Sequence, residues 1–106
     1  MLAQKTVINK LKKIAAEIKQ SGIHLNRVVL YGSYARNEQH KWSDIDVALV
    51  ADEFNSIGFE DVGLFAATLI KYPTLNISPR TYNTHDFSPE RDPFVEVILK
   101  TGIEIQ

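Results

Sequence analysis

The sequence predicts a small α/β domain, because segments with helical spacing of apolar residues alternate with short apolar runs typical of strands. Residues 4–20 carry apolar side chains three and four positions apart, which indicates an amphipathic helix that Ser21 and Gly22 end. The runs 25–31 and 44–50 are both rich in valine and leucine. The second is almost continuously apolar, as expected of a strand buried between two layers.

Four further elements complete the alternation. Helical spacing over residues 59–71 predicts a second helix, and residues 75–81 follow it as a third strand. Asp92 and Pro93 are typical of a helix start, with the aspartate as N-cap and the proline at the first helical position. Residues 103–105 are expected to add a short edge strand after this last helix.

Length and composition limit the classes of protein to consider. We interpret the 106 residues as a single domain, residues 1–106, with enough core to fold alone. The absence of cysteine excludes a disulfide scaffold and thiolate metal sites. The 12 basic and 13 acidic residues argue against broad nucleic-acid binding, which needs a basic excess. No apolar stretch is long enough for a signal peptide or a membrane span, so we expect a cytoplasmic protein.

Two aspartates open the second predicted strand, in the run Asp44-Ile45-Asp46. Because side chains alternate along a strand, Asp44 and Asp46 point to one face, where their like charges repel. A Mg²⁺ ion needs such an arrangement, since it takes one or two carboxylates together with phosphate oxygens and water. The alternative is structural, with Asp44 capping a turn and Asp46 solvated, because paired acids at strand starts are common.

A Gly-Ser pair, Gly32-Ser33, directly follows the first predicted strand, and ten residues separate it from the first aspartate. Gly32 can adopt backbone angles closed to other residues. Ser33 can cap a short helix over residues 34–36, and the exposed N–H groups of such a turn suit an anion. Together with the aspartate pair, this turn supplies the parts needed to bind a nucleoside triphosphate.

The joint motif resembles that of the minimal nucleotidyltransferases, small members of the DNA polymerase beta-like superfamily. In that family a Gly-Ser or Gly-Gly pair is followed by a spacer and an Asp-x-Asp flanked by apolar residues. The resemblance implies a small mixed sheet with helices mainly on one side, and transfer of a nucleoside monophosphate, often AMP from ATP, to an acceptor hydroxyl. It implies that Asp44 and Asp46 are catalytic and hold one or two Mg²⁺ ions, while Gly32 and Ser33 grip the phosphates.

The resemblance also implies a partner protein. Many small members of the family are encoded beside an all-helical partner of the HEPN type and act as the antitoxin of that pair. They do so by forming a complex or by adenylylating the partner. The sequence leaves a homo-oligomer open, and it indicates neither a membrane nor a nucleic acid as partner.

The third predicted strand departs from the family pattern. The family supplies a third carboxylate there, whereas Asn76, Ser78 and Arg80 share the corresponding face of this strand. Ser78 stands where the acid is expected, and a neutral hydroxyl is a poor substitute for a carboxylate as metal ligand or base. Three alternatives follow: catalysis uses two acids, a partner completes the site, or the chain is an interaction module that binds nucleotide without turnover.

Further candidates lie near the motif. Arg36, one helical turn after the Gly-Ser pair, is expected to reach the triphosphate, the alternative being a surface arginine. Ser43 is a candidate for nucleotide binding through a metal-bound water, although a turn cap is the preferred interpretation. Trp42 and Tyr34 either stack on a base or close a small core or partner surface, which is the commoner role. Arg80 either contacts phosphate or flanks the adjacent proline.

Overall fold

The computed structural model describes all 106 residues and has a four-stranded mixed sheet at its centre. In chain order the elements are α1 (Gln4–Gln20), β1 (Leu25–Tyr31), β2 (Ile45–Ala51), α2 (Gly58–Asp61), α3 (Ala66–Ile70), β3 (Ile77–Asn83), α4 (Phe94–Thr101) and β4 (Ile103–Glu104). The strands lie in the order β3-β2-β1-β4. β1 runs antiparallel to β2 and β4, whereas β2 and β3 are parallel. This is the mixed α/β sheet that the resemblance implied.

The two faces of the sheet are covered unequally, with most of the helical surface on one side. The larger core, of 17 buried residues, lies between one face of the sheet, α1 and the segment that contains α3. The smaller core lies under α4 and consists of Val29, Ala48, Val50, Tyr82, Val95 and Ile98. Asp46 alternates with Val47 and lies on the same side of β2 as Ala48, so the α4 side of the sheet carries the carboxylates. No helix is both long and apolar enough to cross a membrane.

The first helix and strand have the bounds that the sequence predicts. The buried side chains of α1 are Val7, Leu11, Ile14, Ala15 and Ile18, which form one stripe along the helix. In β1, Val28 and Leu30 enter the larger core while Val29 enters the smaller one. Both faces of this strand are therefore buried from Val28 to Leu30, which explains the apolar run at these positions.

The predicted helix over residues 59–71 is wrong as a single element, since the structure has α2, a 3₁₀ turn at Val62–Leu64 and then α3. Two buried side chains account for the break. The Asp61 carboxylate accepts hydrogen bonds from the Asn55 N–H (2.8 Å) and the Thr81 hydroxyl (2.7 Å). Phe65 leaves helical geometry at φ −132° and packs on Phe54, with 5.6 Å between ring centroids. These tertiary contacts override the helical periodicity.

The second and third strands begin later than predicted. β2 starts at Ile45 rather than Asp44, and β3 spans 77–83 rather than 75–81. The parallel pairing aligns Ile45 with Ile77 and continues to the ends of both strands. Asp44 therefore lies in the connection just before β2.

The last helix begins at Phe94, one residue later than predicted, with Pro93 just before it. Asp92 serves as the predicted cap, because its Oδ1 accepts a hydrogen bond from the Phe94 N–H at 3.0 Å. After this helix, Ile103 and Glu104 pair with β1 as the predicted edge strand.

Candidate active site

The Gly-Ser turn and the aspartate pair meet at one end of the sheet. β1 ends at Tyr31, which is paired with Asp46 at the start of the antiparallel strand β2. Gly32 and Ser33 follow Tyr31 directly, and thus the turn lies beside the carboxylates. Pairing of adjacent strands, rather than the length of the connection, brings these two parts of the motif together.

Gly32 is in direct contact with the second aspartate. Its φ of +75° lies in the left-handed region that favours glycine. A Cβ at this position would lie only 2.2 Å from Asp46 Oδ2 and 3.0 Å from Asp46 Cγ. Glycine is required here for two reasons, since its backbone is left-handed and the Asp46 carboxylate occupies the space of a side chain.

The residues after Gly32 form a single turn, not the short helix that the sequence predicts. The Arg36 N–H donates to the Gly32 carbonyl at 3.2 Å, and Asn37 then ends the turn with a φ of +55°. The N–H groups of Gly32, Ser33 and Tyr34 donate to no group of the protein, and the Ser33 hydroxyl caps nothing. Three successive free N–H groups at the start of a helical turn are suited to binding an anion.

Asp46 is partly buried on the α4 side of the sheet. Burial raises the pKa of its carboxyl above the ordinary value, and the charge of Asp44 raises it further, while Arg36 acts in the opposite direction. The ionised pair is therefore electrostatically unfavourable in the protein alone. A cation between the two carboxylates would relieve both effects.

Asp44 is exposed, and a neighbouring amide fixes its carboxylate. The Nδ2 of Asn76 donates a hydrogen bond to Asp44 Oδ1. The Asn76 carbonyl also accepts from the Ile45 N–H at 2.8 Å, which ties the approach to β3 to the start of β2. Asn76 shares the predicted site face with Ser78, but its role as the partner of Asp44 does not follow from the sequence. The one indication in the sequence was that Asn76 lies two residues before Ser78, a spacing that puts both side chains on the same face of a strand.

Ser78 lies beside Asp46 in the parallel register of β2 and β3. It is exposed, and its spacing of two from Arg80 puts both on the side of the sheet that carries Asp46. No cluster of three acidic or histidine side chains suited to a metal occurs anywhere in the chain. The site thus combines two carboxylates with the amide of Asn76 and the hydroxyl of Ser78.

Arg36 and Ser43, the remaining candidates around the motif, already have partners. The Arg36 Nε donates to Glu38 Oε1 at 2.8 Å on the surface of the turn, and its charge still acts on Asp46. The Ser43 hydroxyl accepts from the His40 N–H at 2.9 Å, so it closes the turn that precedes Asp44. This is the capping role that the sequence favoured for Ser43.

The two candidate stacking residues differ in exposure. Tyr34 is only 3% exposed and belongs to the larger core, so its ring is not available to a base. Trp42 is 77% exposed, and Lys41 Nζ lies 5.0 Å from the centroid of its indole ring. Tyr34 therefore closes part of the core, which is the role that the sequence favoured for both aromatic residues.

An aromatic and arginine cluster that the sequence did not reveal borders the site. Burial raises the pKa of Tyr31 to about 12, with a further contribution from Asp46, so Tyr31 keeps its proton at neutral pH. Its ring contacts Phe94 of α4 edge-on, at 5.7 Å between centroids. The guanidinium of Arg80 lies 4.8 Å from the Phe94 ring centroid and donates to the Tyr82 hydroxyl at 2.7 Å. The start of α4 is thereby fixed beside the carboxylates.

A small mixed sheet that holds a Gly-Ser turn against an Asp-x-Asp pair defines the nucleotidyltransferase class. The chain belongs to this family, since the family model for the nucleotidyltransferase domain matches residues 8–105. It is 28% identical over 101 residues to the Methanocaldococcus jannaschii protein MJ0141, provisionally named a protein adenylyltransferase, and the match covers 93% of this chain and 95% of that protein. The chain is accordingly a transferase enzyme.

Solved structures show the same fold. A protein from Sulfolobus solfataricus, provisionally described as a nucleotidyltransferase, superposes with a TM-score of 0.65 at 20% identity, over 96% of this chain and 81% of that chain. A toxin-antitoxin determined with AMP-PNP gives a TM-score of 0.60 at 20% identity, over 90% of this chain and 72% of that chain. A mutant of the toxin-antitoxin MntA-HpeT gives a TM-score of 0.62 at 19% identity, over 93% of this chain and 72% of that chain.

Proposed function

We propose that this enzyme transfers AMP from ATP, in the presence of Mg²⁺, to a hydroxyl group on a partner protein. The contact between Gly32 and the Asp46 carboxylate carries the proposal, because it joins an anion-binding turn to a pair of metal-binding acids. The relative named as a protein adenylyltransferase supports AMP as the transferred group and a protein as the acceptor. The neighbour determined with AMP-PNP supports an adenine nucleotide.

The donor groups of the site fit Mg²⁺. Asp44 and Asp46 supply two carboxylates, the amide of Asn76 lies against Asp44 just before β3, and the hydroxyl of Ser78 lies beside Asp46 on β3. These are the hard oxygen donors that Mg²⁺ prefers, and ATP phosphates and water would supply the remaining ligands. When bound, one or two Mg²⁺ ions neutralise charge on the phosphoryl group and help to activate the attacking oxygen.

The chain itself contributes binding and orientation. The free N–H groups of Gly32, Ser33 and Tyr34 hold the β- and γ-phosphates, and the Ser33 hydroxyl adds a further hydrogen-bond donor. Arg36 leaves its ion pair with Glu38 and binds phosphate oxygens instead. The acceptor oxygen attacks the α-phosphorus in line, the bond to the bridging oxygen breaks, and pyrophosphate leaves. Without a third carboxylate, the acceptor proton passes to solvent. Catalysis therefore depends mainly on positioning and charge stabilisation.

The toxin-antitoxin neighbours support a protein partner. We propose a small helical partner of the HEPN type, which the enzyme modifies on a hydroxyl side chain. Modification and complex formation would then both restrain the partner, as expected of an antitoxin.

Calorimetry of the purified chain with ATP tests the site directly. We expect binding with Mg²⁺ and none with EDTA, and its loss in Asp44→Asn and Asp46→Asn. Glu90→Gln, which removes an exposed carboxylate outside the site, should bind like the wild type. Transfer is tested with labelled ATP and a co-expressed partner protein. Label should pass from the α-phosphate and not from the γ-phosphate, and metal-independent binding or γ-transfer would contradict the proposal.

A further inference from the structure

The anion-binding turn after β1 has free N–H groups at its start, whereas its end is closed by backbone hydrogen bonds. The Asn37 N–H, at a φ of +55°, donates to the Tyr34 carbonyl at 3.3 Å. The Glu38 N–H donates to the Ser33 carbonyl at 2.9 Å. These two bonds form a Schellman motif, which is a common way to end a helical turn. The carbonyl of Ala35 receives no backbone hydrogen bond and needs another donor.

The side-chain amide of Gln4 supplies this donor. Its Nε2 donates to the Tyr34 carbonyl at 2.9 Å and to the Ala35 carbonyl at 3.1 Å, so both of its N–H groups are used. Gln4 is the first residue of α1 and lies one helical turn before Val7, which is fully buried in the larger core. A helix fixed by the core therefore presents the amide to a turn that lies 30 residues further along the chain.

Both bonds from this amide lead to one free N–H group of the candidate site. The Tyr34 and Ala35 carbonyls share their peptide units with the N–H groups of Ala35 and Arg36. These two N–H groups donate to the Gly32 carbonyl, at 3.1 and 3.2 Å. The Gly32 carbonyl in turn shares its peptide unit with the Ser33 N–H, which donates to no group of the protein. Alternating hydrogen bonds and peptide units thus connect the glutamine amide with the Ser33 N–H.

Hydrogen bonds that are linked in this way strengthen one another, because each bond polarises the peptide unit that makes the next one. Donation by Gln4 therefore makes the Ser33 N–H a stronger donor toward an anion. The two bonds also fix the orientation of the turn before any ligand arrives. Less conformational freedom is then lost on binding, which favours affinity.

We propose that Gln4 is a positioning residue of the nucleotide site, which orients and polarises the Ser33 N–H through the turn. The inference rests on the proposed function in one respect, since that function identifies the anion at this N–H as a phosphate of ATP. Gln4 acts from the end of the turn opposite to the anion, so its effect on ATP is transmitted by the backbone.

Two variants remove the donor and approximately keep the length of the side chain. In Gln4→Met no donor remains, and in Gln4→Glu a carboxylate faces the two carbonyls. Each variant should bind ATP in the presence of Mg²⁺ about tenfold more weakly than the wild type, as expected from the loss of one hydrogen bond. Gln4→Met should bind Mg²⁺ alone like the wild type, because both carboxylates are unchanged. Gln20→Met, at the exposed last residue of α1, is the matched control and should bind both ligands normally.

Nuclear magnetic resonance separates positioning from a general loss of stability. At saturating Mg²⁺ and ATP, the Ser33 amide proton of the wild type should move downfield, and it should move less in Gln4→Met. Without nucleotide and metal, the N–H groups of Ala35 and Arg36 should exchange with solvent faster in Gln4→Met than in Gln20→Met. A purely structural role would instead raise exchange throughout the core and leave the Ser33 shift at saturation unchanged.

Wild-type affinity for ATP in Gln4→Met, or an unchanged Ser33 shift at saturation, would overturn the proposal. Weaker binding in Gln4→Glu alone would also overturn it, because it would show an effect of charge and not of the lost donor. Failure of the proposed function gives a different result, namely no Mg²⁺-dependent ATP binding by the wild type. In that case the nucleotide-free exchange measurement decides, and unchanged exchange at Ala35 and Arg36 would show that Gln4 does not hold the turn.

Discussion

At the scale of single residues, the contact between Gly32 and Asp46 gives the physical reason why the two halves of the motif occur together. The carboxylate of Asp46 occupies the position that a side chain at residue 32 would need. The turn can therefore approach the acids only if it begins with glycine. Asn76 adds a second restraint by holding Asp44 with its amide. The carboxylates are thus oriented by groups that carry no charge.

Gly32→Ala tests this contact. The left-handed backbone alone should cost about 1–2 kcal/mol of unfolding free energy, and the added methyl group must also displace Asp46. We expect a lower melting temperature and the loss of Mg²⁺-dependent ATP binding. Gly22→Ala is the matched control, because Gly22 has a φ of +102° and no atom within 4 Å of the added Cβ. It should lose comparable stability but keep ATP binding, and similar binding in both variants would disprove the role of the contact.

At the scale of secondary-structure elements, β3 distinguishes this enzyme from the family pattern. Its parallel register with β2 sets Ser78 beside Asp46, where the resemblance to the family predicts an acid. The same strand is also an edge strand of the sheet.

Ser78→Asp is expected to restore a cluster of three acids. The new charge should destabilise the metal-free protein, strengthen Mg²⁺ binding and raise AMP transfer by roughly 100-fold, the lower end of the range for a positioned acid–base group. Calorimetry and label transfer from α-labelled ATP measure these effects. Ser78→Asn controls for size without charge, and Asp46→Asn is the inactive control.

A fully active wild type together with an Asp variant that shows no gain would mean that two acids suffice. If the wild type and the Asp variant are both inactive while the partner is still bound, the chain acts by complex formation instead. The first result would also contradict the assignment of Ser78 to the third-ligand position, whereas the second would favour the interaction module.

At the scale of the whole molecule, the site lowers the stability of the metal-free protein as pH rises. The folded state raises the pKa of Asp46, so it binds this proton more tightly than the unfolded chain does. The favourable contribution of protonated Asp46 is therefore present at low pH. It is lost as pH rises from the ordinary pKa of aspartate through the raised pKa of the folded state.

Asp46→Asn should remove this pH-dependent loss. In EDTA near pH 7 the variant is expected to melt at the same temperature as the wild type or slightly higher, and its advantage should shrink as pH falls through the raised pKa of Asp46 to the ordinary pKa of aspartate. Asp44→Asn should change little, because an asparagine oxygen can still accept the hydrogen bond from Asn76. A fall of several degrees for Asp46→Asn in EDTA would show that this acid is a structural residue.

The features that depend on local chemistry could be predicted from the amino-acid sequence. The bounds of α1 and β1 follow from the spacing of apolar residues and from Ser21 and Gly22. The Gly-Ser turn and the aspartate pair could be predicted because the backbone freedom of glycine and the alternation of side chains along a strand act over a few residues. The α/β class followed from the alternation of such segments.

The contacts between segments far apart in the chain could not be predicted from the sequence. The bond from Asn76 to Asp44 and the position of Ser78 beside Asp46 depend on the register of two parallel strands, which no turn between them fixes. The break in the predicted helix over residues 59–71 depends on buried contacts of Asp61 and Phe65. Such contacts join residues far apart in the chain. They are selected by the balance of packing and hydrogen bonding in the folded molecule. Local periodicity therefore does not reveal them.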